Sequence, residues 1–224
     1  MGSHSHFSVS SPAGALRRQA PYEVIKEAIL DGTLAPGSPL VESQVAAWCG
    51  VSRTPVREAL TRLEQDGLIS REERGLVVRE RSPEEILDIY EVRIVLEMTA
   101  ARVAAERHAS FDRVRLERLL RECERVDAAD GAALTRVNRE FHTGVWQASH
   151  NESLVDLLTR LNLHLARYPA TTLSYPGRWD QAVEQHRQLV SAILSRDADK
   201  AEQLARDHFV EARDIRLSLW EHDD

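Results

Sequence analysis

This sequence of 224 residues has only two cysteines, no long apolar run and no excess of basic charge. The two cysteines, Cys49 and Cys123, lie far apart and form no CxxC motif, so we expect no disulfide framework and a reducing cytoplasm. No stretch approaches the roughly 20 consecutive apolar residues that a membrane span needs. No apolar signal-peptide core follows Met1 either. We therefore expect a cytoplasmic protein that does not contact a membrane.

The lack of a basic excess at first argues against a nucleic-acid partner, since the formal net charge is −7. The acidity is unevenly placed along the chain. Residues 1–80 carry 9 basic and 10 acidic side chains, whereas the remainder carries 20 and 26. For DNA binding, the local placement of arginines matters more than the total charge. This distribution is compatible with a DNA-binding domain in the first 80 residues.

The length suits two modest domains, and 42% hydrophobic with 29% charged residues is ordinary globular composition. Residues 1–19 are rich in Ser, Gly and His and are predicted to be a flexible tail. Helical patterns follow at 21–31, 43–49 and 54–66, and two short strands at 68–70 and 76–78 flank a tight turn at Arg74-Gly75. This order predicts a winged helix-turn-helix over residues 20–80.

The third of these helices is the candidate recognition helix. Pro55 stiffens its start, Arg53 lies just before it, and Arg57 lies one turn inside. Both arginines are then at the end of the helix that enters the major groove, where arginine binds guanine O6 and N7 together. The hydroxyl groups of Ser52 and Thr54 suit phosphate contacts. The alternative is that the two arginines only solvate a surface helix.

The second part of the chain, residues 83–220, is predicted to be an all-helical ligand-binding domain. Ser82 and Glu85 form a capping-box pattern at its start, with Pro83 at the first helical position. The fold class is therefore mainly α, with a winged helix-turn-helix followed by a helical bundle. The helical patterns of this domain cover residues 83–107, 111–128, 132–148, 152–168, 178–195 and 198–220.

Three segments of the first domain closely resemble the GntR superfamily of transcription regulators. They are Gly32-Thr33-Leu34-Ala35-Pro36-Gly37-Ser38-Pro39-Leu40, Val51-Ser52-Arg53-Thr54-Pro55-Val56-Arg57-Glu58-Ala59-Leu60 and Leu63-Glu64-Gln65-Asp66-Gly67-Leu68-Ile69. The resemblance implies that Arg53 and Arg57 read guanines and that Gly75, in the wing, approaches DNA. This chain has Ser43 where some members have an arginine, so the operator sequence is expected to differ.

The second domain resembles the effector domain, called FCD, of the FadR-like branch of that superfamily. The resemblance is carried by Asp88-Ile89-Tyr90-Glu91-Val92-Arg93 with Leu96-Glu97, Asn138-Arg139-Glu140-Phe141-His142, Glu184-Gln185-His186 and His208. It implies a helical bundle that is usually dimeric, binds small carboxylates and often holds a divalent metal. We accordingly expect a homodimer, a small organic acid effector and a double-stranded DNA operator.

The residues of the second domain agree with a metal site. Asn138 and His142 are four residues apart and share one face of a helix, while His186 and His208 lie on two other helices. Three imidazoles and an amide oxygen form a workable site for zinc or nickel. The family usually has Asp as the first ligand, so the neutral Asn138 is expected to weaken metal affinity. Each histidine taken alone is more often a core or surface residue.

Arg93 is the candidate effector-binding residue, because the resemblance implies an arginine here that pairs with the effector carboxylate. The alternative is an ion pair with Glu97, four residues later on the same helix. His164 and Arg167 are further candidates for the pocket lining. Trp146, Trp179 and Trp220 are expected to pack in the core or an interface.

Two other functions compete with a ligand-responsive regulator. An architectural DNA-binding protein with a non-sensing helical domain is compatible with the neutral Asn138. A metal-dependent hydrolase is conceivable because a histidine-bound metal activates water. The chain has no HExxH, GxSxG, P-loop or GxGxxG motif, so we expect no enzyme activity. Effector identity, operator sequence and the choice between repression and activation stay open.

Overall fold

The computed structural model describes residues 20–73, 75–166 and 172–221. The tail predicted at residues 1–19 therefore lies outside the described part of the chain. Two compact units divide the protein: Met1–Arg81 with Leu163–Pro169, and Ser82–Asn162 with Ala170–Asp224. The predicted fold class, mainly α with a small hairpin in the first unit, is confirmed.

The first unit is built on helices α1 (Pro21–Leu30), α2 (Glu42–Cys49) and α3 (Arg53–Gln65). Pro21 starts α1, where its missing N–H costs nothing, and Gly50 ends α2 with a left-handed φ of 69°. Helix α3 packs against both α1 and α2. The apolar faces of the three helices meet in a core that includes Ile25, Ile29, Val45, Val56, Leu60 and Leu63.

An antiparallel hairpin of strands β1 (Ile69–Glu72) and β2 (Gly75–Val78) forms the wing. In its register, Ile69 pairs with Val78 and Glu72 with Gly75. The segment before α2 adds a third partner, since Leu40 N donates to Leu76 O at 2.7 Å. Val78 N donates to Ser38 O at 2.9 Å on the same edge. The sequence pattern predicts no strand pairing in this segment.

Six long helices follow among the described residues, and they lie in the second unit except for residues 163–166 at the end of the fourth helix, which belong to the first unit. Side-chain caps start several of these helices. Ser82 and Glu85 form a capping box, Asp130 accepts from Ala133 N at 2.9 Å, and Asp197 accepts from Lys200 N at 3.1 Å. The helices are α4 (Pro83–Arg107), α5 (Ser110–Arg125), α6 (Gly131–Ala148), α7 (Glu152–Ala166), α8 (Arg178–Leu194) and α9 (Ala198–Glu221), with a 3₁₀ turn at Thr172–Ser174.

Small residues let the long helices of the bundle approach one another closely. Helices α4 and α9 share the most extensive packing, and both contribute buried alanines. On α6, a Cβ added at Gly144 would lie 2.4 Å from Leu119 Cδ1 on α5. The larger apolar side chains of the core include Leu116, Phe141, Val145, Leu189 and Ile193.

Two predicted helix boundaries are wrong. Helix α5 ends at Arg125 rather than residue 128, because Val126 is extended and the Asp127 carboxylate accepts from Ala129 N in a local turn. Arg53 is the first residue of α3 and does not precede it, with Ser52 as the N-cap. The predicted end of α7 at residue 168 lies outside the described residues. None of the described helices is long and apolar enough to cross a membrane.

Candidate DNA-binding surface and metal centre

The start of α3 presents polar side chains to solvent. Ser52, Arg53, Thr54 and Arg57 are all exposed, while Val56 on the opposite face is fully buried. The side chain of Ser52 makes no capping hydrogen bond, although the residue has the extended conformation of an N-cap. The hydroxyl group of this exposed residue is therefore not used for capping, which is compatible with a phosphate contact.

The side chain of Arg57 is held by a carboxylate from the neighbouring helix. Arg57 Nε donates to Glu42 Oε1 at 3.1 Å, and Nη2 donates to Oε2 at 3.1 Å. The hydrogen bond with Arg57 lowers the pKa of Glu42, and the charges of Arg53 and Arg71 lower it further. One carboxylate therefore lies among three arginines of the candidate DNA-binding surface. Sequence reasoning missed Glu42, because only the packing of α2 on α3 brings it to Arg57.

Gly75 is at the turn of the wing and has a φ of 121°, which side chains rarely allow. A Cβ at this position would meet nothing within 4 Å, so the backbone conformation and not crowding requires glycine. Its predicted turn partner, Arg74, lies outside the described residues. The open space next to Gly75 is compatible with a close approach to DNA.

Three imidazoles from three helices converge in the second unit. His142 of α6, His186 of α8 and His208 of α9 are buried, and their candidate ligand atoms all lie within 4.8 Å of one another. Their ring centroids are 5.0 to 5.2 Å apart. The structure thus brings together three residues that the sequence predicts as ligands. The fourth, Asn138, lies one turn before His142 on α6.

Several polar atoms at this centre have no hydrogen-bond partner although they are buried. They are Asn138 Oδ1, His142 Nε2, His186 Nδ1 and His186 Nε2. Leaving a buried polar atom without a partner costs about 1–3 kcal/mol, so native structures avoid it unless another group satisfies the atom. A metal ion bound by His142 Nε2, one nitrogen of His186 and the amide oxygen would satisfy three of the four atoms, since a neutral imidazole offers one lone pair. The donor set therefore fits a divalent metal of the zinc or nickel type.

The third imidazole is oriented by a glutamine. His208 Nδ1 lies 2.7 Å from Gln185 Oε1, and Gln185 Nε2 donates to Glu211 Oε2 at 2.6 Å. Because the glutamine oxygen only accepts, we assign the proton of His208 to Nδ1, which leaves the lone pair on Nε2 for a ligand. Such an outer partner fixes the tautomer of a metal-binding histidine. The 3.4 Å approach of Arg178 Nη2 to the same Nδ1 is the weaker contact.

Burial keeps these histidines neutral. Desolvation lowers the pKa of His186 to about 3, with a smaller effect of Arg178. It also lowers the pKa values of His142 and His208 well below the ordinary value, and the neighbouring imidazoles and arginines lower both further. A metal ligand must be a neutral imidazole, so the environment favours the form that binds.

The predicted effector residue, Arg93, is almost buried near these imidazoles. Its Nε donates to Glu97 Oε1 at 3.2 Å, and its guanidinium carbon lies 4.6 Å from the centre of the Phe209 ring. The intrahelical ion pair is therefore formed. Glu97 also accepts from Trp146 Nε1 at 2.7 Å, a partner that the sequence did not indicate.

The other predicted residues fall outside this centre. His164 belongs to the first unit, and Arg167 lies outside the described residues. Trp146 and Trp179 are buried in the second unit as expected, whereas the side chain of Trp220 is not described. The sequence reasoning missed Arg178, which is 2% exposed and contacts His208. Its position eight residues before His186 gave no signal of this contact.

Comparison with known proteins agrees with both units. Residues 18–78 match the family described as bacterial regulatory proteins, gntR family, and residues 88–211 match the FCD domain. The chain is 31% identical over 195 residues to the uncharacterized HTH-type transcriptional regulator YdhC of Bacillus subtilis (strain 168), covering 84% of this chain and 85% of that protein. It is 27% identical over 212 residues to the HTH-type transcriptional repressor RspR of Escherichia coli (strain K12), covering 92% of each.

A solved structure supports the fold independently. The Escherichia coli protein McbR/YncC superposes with a TM-score of 0.74 at 22% identity, covering 89% of this chain and 96% of that one. The two family matches and the relatives show a DNA-binding transcription regulator with a helical FCD domain, in a family of regulators and not of enzymes. More particularly, the chain belongs to the GntR family, in the FadR-like branch that carries an FCD domain.

Proposed function

We propose that this regulator binds its operator through α3 and that a small organic acid, bound together with a divalent metal in the second unit, changes operator affinity. The observation that carries the proposal is the convergence of three buried imidazoles, two of which, His142 and His186, have nitrogen atoms without a hydrogen-bond partner. In a hydrophobic core, buried nitrogen atoms without a partner are unfavourable, whereas a metal ion would bind one nitrogen of each ring.

In this proposal, Arg53 and Arg57 read guanine edges in the major groove, and Ser52 and Thr54 bind phosphate. Gly75 lets the wing backbone approach the DNA. Exposure of the four α3 residues supports these roles. A homodimer would place two such helices on two half-sites of an operator.

His142, His186, His208 and Asn138 would hold the metal, with zinc or nickel as the preferred ions. The metal supplies positive charge and open coordination positions for a carboxylate. Arg93 supplies a guanidinium group at the same centre, which suits an anionic ligand. An acid that binds one placement of the DNA-binding units better than another then shifts operator affinity.

The test begins with the metal content of protein purified without a histidine tag or metal column. We expect about one divalent ion per chain, in line with a single three-imidazole centre. A variant with Asn138, His142, His186 and His208 all replaced by alanine is expected to lose it. Wild-type protein that takes up neither zinc nor nickel would contradict the metal proposal.

The second arm measures operator binding of the metal-loaded chain with and without small organic acids. An acid that changes operator affinity in the wild type and not in the quadruple variant supports sensing. If no acid changes operator affinity although metal binds, an architectural DNA-binding role replaces the proposal. Arg57→Ala should weaken operator binding by about 1–3 kcal/mol, whereas Arg118→Ala, on the exposed face of α5, should not.

A further inference from the structure

A groove between α5 and α6 is lined by three arginines. Arg115 and Arg118 are three residues apart on one face of α5, and Arg139 lines the groove from α6. The groove has a volume of about 250 Å³ and lies within the second unit. None of the described residues that line it belongs to the three-imidazole centre, and Glu140 is the only carboxylate among them. It is therefore a separate and mainly cationic concave surface.

The close packing of α5 on α6 brings these side chains to one groove. Leu119 and Gly144, the two residues between which a Cβ has no room, both belong to its lining. Beside them, Arg115 Nη1 on α5 donates to Gln147 Oε1 on α6, so the two helices are also joined by a polar contact. The groove thus combines an apolar part with guanidinium and amide donors.

Arg139 has no carboxylate within ion-pair distance among the residues that the structure describes. Its neighbour Glu140 pairs instead with Arg136, one turn earlier on α6, at 3.4 Å. Arg139 is exposed, so its five N–H donors are available to a ligand without the loss of an internal contact.

The two arginines of α5 have partners that leave donors available. Arg118 pairs with Glu122 through Nη1 at 2.5 Å, and because the arginine side chain is 56% exposed, solvent screens that pair. Arg115 donates to the neutral amide of Gln147, and its Nη2 lies 3.5 Å from Asp112 Oδ1. Since one guanidinium carries five N–H donors, each of these side chains can bind a further oxygen atom.

The local charge balance is opposite to that of the surrounding chain. Among the described side chains in these contacts there are four arginines and three carboxylates, which leaves one positive charge in excess. Residues 81–224 as a whole carry 20 basic and 26 acidic side chains. A small anion is repelled by that overall charge and attracted to a groove where arginines are concentrated.

We propose that this groove is a further ligand site that binds the phosphate group of a small phosphate monoester, with Arg139 as its main partner. A phosphate monoester has three terminal oxygens and about two negative charges, which three guanidinium groups match better than they match the two oxygens and single charge of a carboxylate. The volume lies just below the roughly 300–1,000 Å³ of sites for drug-sized ligands, so a small phosphorylated molecule suits it.

Calorimetry with phenyl phosphate and phenyl sulfate at pH 8 can test this assignment. The two probes have the same ring and a tetrahedral anionic group, but the phosphate carries about two negative charges and the sulfate one. The full-length chain is stripped of metal and freed of chelator, so that the three-imidazole centre contributes nothing. We expect wild-type protein to bind phenyl phosphate at least about tenfold more tightly than phenyl sulfate.

Arg139→Gln removes the arginine that has no carboxylate partner. Because charge-assisted hydrogen bonds are lost, we expect the affinity for phenyl phosphate to fall about tenfold or more. Arg121→Gln is the matched control, since Arg121 is an exposed arginine of α5 that is not part of the groove lining. It should keep the wild-type affinity within about twofold. Phosphate that binds instead to the exposed arginines of α3 would be unaffected by Arg139→Gln.

Several results would overturn the proposal. They are the absence of binding at millimolar phenyl phosphate, equal affinities of wild type and Arg139→Gln, and equal losses in Arg139→Gln and Arg121→Gln. Phenyl sulfate that binds as tightly as phenyl phosphate would contradict the preference for a dianion. Inorganic phosphate that binds as tightly as phenyl phosphate would mean a site for the free ion and not for an ester. All these measurements use metal-free protein, so their outcome is independent of the metal proposal.

Discussion

At the scale of single residues, the pairing of Arg57 with Glu42 bears on the DNA-reading role that we propose for Arg57. The Arg57 side chain is exposed and Glu42 is partly exposed, so solvent screens the pair and it contributes little to folding. Its two parallel hydrogen bonds nevertheless hold the guanidinium in one orientation. In the proposed complex with DNA, the Arg57 side chain would therefore lose little further conformational entropy. This favours a specific contact with a base.

Glu42→Gln tests this orienting role. Without the carboxylate, Arg57 gains rotamer freedom and the surface loses a negative charge that repels phosphate. We expect binding to random DNA to strengthen while the ratio of operator to random-DNA affinity falls by about three- to tenfold. Fluorescence anisotropy at several salt concentrations measures both. Glu27→Gln, an equal charge change on the exposed side of α1, should leave the ratio unchanged; equal ratios in wild type and Glu42→Gln would refute the role.

The buried histidines predict an acid-sensitive stability of the metal-free chain. The folded-state pKa of His186 is about 3, while the unfolded chain takes up a proton near the ordinary value of 6.5. The unfolded state therefore binds more protons below about pH 6.5, and this contribution to stability is lost as pH falls through that window.

His186→Gln should remove its share of this dependence. From about pH 7 to about pH 5, the wild-type chain should lose stability more steeply than the variant, by about 1.4 kcal/mol per pH unit below 6.5. Denaturant unfolding in the presence of a chelator measures the difference, in which other titrating groups cancel. Parallel slopes for the two proteins would show that His186 is accessible to protons when folded.

At the scale of helices, close packing in the second unit depends on a glycine at the point where two helices approach each other. The approach of α5 to α6 leaves no room for a Cβ at Gly144 next to Leu119 Cδ1. At Gly131, the first residue of α6, a Cβ would meet nothing within 4 Å. The two glycines of one helix thus differ in what they contribute. Gly144 serves helix packing, whereas Gly131 does not.

A double-mutant cycle separates this packing from helix propensity. Gly144→Ala should be less favourable with Leu119 present than in a Leu119→Ala background, with a coupling of about 1 kcal/mol or more. The propensity gain from alanine is the same in both backgrounds and cancels. Thermal or denaturant unfolding gives the four stabilities. Gly131→Ala should show no coupling to Leu119, and additive effects of Gly144→Ala and Leu119→Ala would contradict the close approach.

At the scale of the whole molecule, the proposed DNA-binding and acid-binding sites belong to different units of the chain. If one alters the other, the coupling is reciprocal by thermodynamic linkage. We expect the factor by which an organic acid changes operator affinity of the zinc-loaded chain to equal the factor by which operator changes the affinity for that acid. Calorimetry of the acid with and without saturating operator DNA measures the second factor. An acid that changes operator affinity while its own affinity is insensitive to operator would act elsewhere.

Much of this protein is determined by sequence pattern alone. Apolar periodicity and capping residues such as Ser82, Asp130 and Asp197 act within a few residues, so the order and nearly all the bounds of the helices could be predicted. Three of the four predicted metal ligands, His142, His186 and His208, lie close together because each is on the buried face of its own helix.

Only the tertiary structure determines which side chains pair across different helices. Glu42 meets Arg57, Trp146 meets Glu97, and Arg178 meets His208 through the packing of separate elements. No local pattern encodes these pairs, because their sequence separation is set by the fold and not by helical spacing. The same holds for the neutral state of His142, His186 and His208, since only their burial in the bundle lowers their pKa values.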